Sequence, residues 1–140
     1  MFLDKLKDAQ KELFLELAIK AADSSCGISK EERMMLEAFA KEMNIPVKYE
    51  CEKTVKQITD ALIKISNKKE LRIIIFEIIG IMYSDSNYDE TERKFVKDLQ
   101  EMFSLDTELV KKMESTILQY TKLYIDIYDL VINGPAILCN

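Results

Sequence analysis

Apolar positions recur at helical spacing along almost the whole chain. Leu3, Leu6, Leu13, Leu17 and Ala21 lie mostly three, four and seven residues apart, the stripe of an amphipathic helix over about 2–22. The segment DSSCG interrupts it, and ISKEERMMLEAFAKEM forms a second helix that stops near Asn44 and Pro46. Val55, Ile58, Leu62 and Ile65 place a third over about 52–66. A fourth, over about 68–84, contains LRIIIFEIIGIMY. Its isoleucines favour strand locally, but a run of 13 residues is long for a strand. Glu70, Glu77 and Ser84 recur every seven residues there, which predicts a narrow polar seam along an exposed edge. Phe95, Val96, Leu99 and Phe103 predict a fifth helix over about 90–103. Val110, Met113, Ile117, Tyr120, Tyr124, Tyr128 and Val131 predict a sixth over about 107–132, and NGPAILCN closes the chain irregularly. Tyr120, Tyr124 and Tyr128 read first as a packing stripe with hydroxyls reaching water, and second as a groove for a partner.

A helix that is apolar all round must be covered on every side. The fourth helix is therefore expected at the centre, with the first against it and Gly80, Ala18, Ala21 and Ala22 allowing close approach. The fold class this implies is all-α, a single-domain helical bundle over residues 1–140. A chain of 140 residues can bury a sufficient core without disulfides or metal staples.

Two stretches of the chain match each other. Ile28-Ser29-x-x-Glu32-Arg33 aligns with Tyr88-Asp89-x-x-Glu92-Arg93 at an offset of 60, and Met35/Phe95, Leu36/Val96, Phe39/Leu99, Met43/Phe103 and Ile45/Leu105 continue the match. The pattern reads as two pseudo-repeats of about three helices each, over about 10–66 and 68–132. Upstream, Asp23 aligns with Asp85 if the first loop is two residues longer.

Ser29-x-x-Glu32 and Asp89-x-x-Glu92 are both capping boxes. Asp23 and Asp85 sit at the C-terminal ends of helices, where the macrodipole disfavours a carboxylate. They read either as Asx-turns onto their own loops or as ligands that converge with Glu32 and Glu92 on a cation. SDSNYDETE places Asp85, Asn87 and Asp89 at the first three ligand positions of an EF-hand. The glycine and bidentate glutamate that such a loop needs are Glu90 and Val96 here, so that template is excluded. The candidate metal ligands are Asp85, Asp89 and Glu92, with Asp23 and Glu32 as a poorer copy. Oxygen donors without imidazole favour weakly held Ca²⁺ or Mg²⁺ over Zn²⁺.

The net charge of −5, with Lys and Arg scattered among acids, provides no basic face, so nucleic acid and anionic membranes are not expected as direct partners. Cys26, Cys51 and Cys139 form no C-x-x-C pair and read as reduced thiols of a cytoplasmic protein. The absence of histidine removes histidine triads and histidine metal sites. The remaining acids, thiols, lysines and tyrosines form no catalytic constellation, so no enzymatic activity is expected. MFLDKLKDAQKELF has no hydrophobic leader core, and the longest apolar run contains Arg72 and Glu77 and is too short to span a membrane.

AADSSCGISKEE and YSDSNYDETE, with the flanking KKELRIIIFEIIGIMYSD and FVKDLQEMFSLD, resemble the TerB (tellurite-resistance-B-like) family over about residues 10–106. Ser24 and Ser86 stand where that family has glycine. The resemblance implies an all-helical, non-enzymatic cytoplasmic module in tellurite resistance and related stress responses. It further implies acidic residues that hold a divalent metal, and protein partners that include membrane-embedded ones. The alternative is a plain interaction or scaffold domain, a homodimer among its forms, whose acidic loops are only helix caps.

Overall fold

The computed structural model describes residues 1–85 and 88–134. Ser86, Asn87, Cys139 and the end of NGPAILCN lie outside the described residues. After a short 3₁₀ turn at Leu3–Lys5 come α1 (Asp8–Ala22), α2 (Lys30–Met43), α3 (Val55–Ile65), α4 (Lys68–Met82), α5 (Glu90–Met102) and α6 (Thr107–Tyr128). α6 runs on into a π turn at Asp129–Asn133. No strand occurs among the described residues.

The helices begin where side chains can satisfy their first amides. Ser29, Thr54, Asn67 and Asp89 each accept from an N3 backbone N–H, and Glu32, Gln57, Glu70 and Glu92 reach back to the corresponding caps. Asp106 accepts from the Glu108 N–H to start α6. α2 stops at Asn44, whose left-handed φ of 56° an asparagine tolerates.

α4 is the centre. It packs against α1, α2, α5 and α6 and against the N-terminal turn, and ten of its 15 residues are buried. α1 lies across α2, α3 and α4. Its Ala18, Ala21 and Ala22 are buried, and Phe14 meets Phe39 of α2 edge to face at 5.4 Å. Gly80 does not have the role expected of it. A methyl placed there would touch nothing within 4 Å, so no close approach depends on it.

The predicted seam of α4 is not an exposed edge. Glu70 and Glu77 are both only 5% exposed. Glu70 completes the box with Asn67. Glu77 accepts from the Phe2 N–H at 2.8 Å and lies 3.0 Å from the amino group of Met1, while Glu42 of α2 accepts from the Leu3 N–H at 2.9 Å. Glu77 is buried because donors from the start of the chain reach it.

α6 departs furthest from expectation. Only Val110 and Ile117 of its 22 residues are buried. Tyr120, Tyr124 and Tyr128 are 57%, 60% and 49% exposed, so they extend past the core and do not pack into it.

Candidate functional site

Two loops, α1–α2 and α4–α5, lie side by side. Each begins the same way. Ser24 Oγ donates to Ala21 O at 2.7 Å, and Ser84 Oγ donates to Ile81 O at 2.6 Å. The residues closing the two helices, Asp23 and Tyr83, have nearly identical backbone angles, φ −88°, ψ 6° and φ −93°, ψ 4°. At the helix ends the chain therefore keeps the offset of 60 seen downstream, with no insertion. Asp23 corresponds in space to Tyr83, and Asp85 to Ser25. The alignment of the two aspartates is a coincidence of composition.

That register decides which acids meet. Glu32, Asp85 and Glu92 line one cavity of 230 Å³, together with Ser25 and Cys26. Asp89 stands beside it, where the Ser25 hydroxyl donates to its second oxygen. Asp23 is exposed and does not line the cavity. The sequence suggested two loops with a ligand pair each. The structure instead brings one acid of the first loop segment together with two of the second.

Glu32 and Glu92 are each 3% exposed. Their backbone roles match: Ser29 N–H donates to Glu32 at 2.8 Å, and Asp89 N–H to Glu92 at 3.2 Å. The two carboxyl groups line the same cavity, one from the start of each helix. Burial raises Glu92 from the ordinary 4.5 to about 7, against the bond from the Asp89 N–H, and the charges of Asp89, Glu32 and Asp85 add to the rise. Burial also raises Glu32, again with a contribution from Asp85. Asp89 is held below its ordinary value by the Ser25 hydroxyl and by backbone N–H donors of α5.

A cation would find oxygen donors of the right type here. Among the described residues, however, no three His, Cys, Asp or Glu side chains are grouped closely enough to hold a metal ion as they stand. As arranged, each glutamate closes the cap of its own helix, and burial with the neighbouring carboxylates favours the protonated form of Glu92 up to about pH 7.

The arginine after each buried glutamate also has a partner that spacing could not reveal. Arg33 lies over the ring of Tyr49 at 4.4 Å, and Arg93 over Tyr88 at 4.5 Å. Tyr88 in turn stacks on Tyr83 at 4.4 Å.

A second concave feature lies between α2, α4 and α6. It has a volume of 380 Å³ and is lined by Phe39, Phe76, Gly80, Ile117 and Tyr120 among others. It opens onto the distal half of α6, where ten large apolar side chains between Leu118 and Ile132 are about half exposed or more. No helix among the described residues is long and apolar enough to cross a membrane. Compared with protein-family models, with curated proteins and with solved structures, the chain matches none.

Proposed function

We propose that this chain is a non-enzymatic helical docking module that binds protein through the distal half of α6. The carrying observation is the density of exposed apolar side chains there, ten in the fifteen positions 118–132. A typical monomer shows no contiguous apolar patch above about 300–600 Å², and a face of this extent marks an interaction surface. On this reading the acidic loops are caps clasped to each other, which hold α2 and α5 in register. The test is photo-crosslinking in cells from a reactive phenylalanine analogue at Leu123, Tyr124 or Ile127. Defined adducts are expected from these positions and none from Glu37, an exposed site on α2. Their absence from all three positions would end this reading.

A second reading follows the TerB-like resemblance, with the chain as a cytoplasmic stress-response module of two pseudo-repeats whose acids take Ca²⁺ or Mg²⁺. It is supported by the convergence of Glu32, Asp85 and Glu92 on one cavity. Crowded carboxyl groups that hold a proton near pH 7 would exchange it for a divalent cation. At about ten times a millimolar Kd the cation would stabilise the fold by about 1.4 kcal/mol, a shift of roughly 3–5 °C in Tm. Glu92→Gln and Asp85→Asn should each remove that shift. No shift at several millimolar of either ion would leave only the docking role.

A further inference from the structure

We propose that the partner of the distal half of α6 is a second copy of this chain, so that the helix forms the interface of a homodimer. The inference rests on α6 being a docking face and adds what covers it.

The area is that of a dimer. At roughly 80–100 Å² for a half-exposed side chain of this size, the ten side chains present about 800–1,000 Å², against about 800 Å² per partner in a standard interface. The geometry calls for a helix. Tyr120, Leu123, Ile127 and Leu130 follow one another at spacings of three, four and three, a seam into which the side chains of another helix interleave. A separate column, Leu118, Ile125 and Ile132, repeats every seven residues on another side. Apart from Thr121, which lines the groove, the polar side chains form one narrow line, Gln119, Lys122, Asp126, Asp129 and Asn133. A single partner helix would cover one of the two apolar sides and leave the other in water.

A second copy can cover both. The same face of the molecule carries the projecting helix and, at its base, the open apolar groove against α2 and α4. In a two-fold arrangement the partner's α6 lies along the seam while the body behind it offers its groove. Each chain then both donates and accepts, as an isologous interface requires. Charge disfavours a lipid surface as the cover. The polar line has one lysine against two aspartates, and the chain is at −5, whereas helices that lie on anionic bilayers carry Lys and Arg there.

Light scattering on the eluting purified full chain, over about 5–200 µM, tests this. The expected mass is twice 16.3 kDa. Leu123→Glu and Ile127→Glu, each made at a position more than half exposed, should weaken the dimer at least about a hundredfold, because an isologous interface contains each change twice. Lys64→Glu on the exposed face of α3 should leave it intact. If the glutamate variants lose helix content, photo-crosslinking the purified wild-type dimer from position 124 decides instead. An adduct of two chains joined through their α6 segments supports the proposal, and an adduct joined elsewhere overturns it.

A monomeric mass over the whole range overturns the second copy. So does a dimer untouched by both folded glutamate variants, or a monomer that sediments with phosphatidylcholine–phosphatidylserine vesicles. A monomer whose positions 123, 124 and 127 still crosslink to other proteins in cells defeats the second copy and leaves the docking role standing. A monomer without such adducts defeats both.

Discussion

α3 and α6 occupy the same place in the two halves of the chain, third after a capped helix, and both show a regular apolar period. α3 has 11 residues and buries Ile58, Thr59 and Leu62, chiefly against α1. α6 has 22 and buries two. At about 1.5 Å per residue, α3 ends within the width of the body, while α6 with its π turn extends roughly 24 Å beyond its last buried residue, Ile117. The period of a helix identifies its apolar face. Its length against the body decides whether that face is covered from within.

The largest effect that could break this contrast is in the core of α3. Leu62→Ala should cost about 2–5 kcal/mol in urea unfolding, as for a fully buried leucine. Leu123→Ala on α6, measured below the concentration at which chains associate, should cost less than about 0.5 kcal/mol. Equal costs would mean that α6 is packed within its own chain.

The two halves agree at their capped loops, and the next predictions sharpen that agreement. Glu92→Gln should raise stability at pH 8 by about 1–2 kcal/mol. The folded-state value of about 7 lies above the ordinary 4.5, so the protonated form favours the fold. That contribution is complete below about pH 4.5 and is lost as pH rises through about 7. Glutamine keeps an oxygen for the Asp89 N–H and removes the charge, so its advantage should vanish near pH 4.5. A variant less stable at pH 8 than wild type would show that the carboxylate, not the acid, holds the loop.

Ser29→Ala and Asp89→Ala should each cost about 1 kcal/mol, the loss of a helix cap. Asp89→Ala should be the larger, since it also releases Ser25. An Asp89 variant unfolding at the wild-type midpoint would remove it as a cap. Asp23→Ala should be smallest, within about 0.5 kcal/mol and of stabilising sign, because it takes an exposed charge from the unfavourable end of α1. A clear loss of stability there would place Asp23 in contacts the structure does not give it.

The all-α fold was legible in the sequence because the apolar runs are too long for strands and each polar break carries cap chemistry. The central place of α4 followed from its lack of a polar face. The burial of Glu77 was not legible, since its donors lie at the start of the chain, 75 residues away. At the candidate site, the boxes at Ser29 and Asp89 were readable from spacing of three. The meeting of Glu32 with Glu92 was not, because spacing within a loop says nothing about the distance between loops. The Asp23–Asp85 match misled for a related reason: it compared letters, whereas Ser24 and Ser84 show where the helices end. The tyrosines of α6 were recognisable as a stripe, but nothing in a period says whether the cover comes from the same chain.

The burial of α4 sets how the molecule opens. Its neighbours come from both halves of the sequence, so a chain that has released either half leaves Ile74, Ile75 and Ile78 in water. Neither half is then a unit that survives alone, and unfolding is a single cooperative event. Amide hydrogens of α4 should exchange with solvent only when the whole domain opens, while those of α6 beyond Ile117 exchange through local fraying in the isolated monomer.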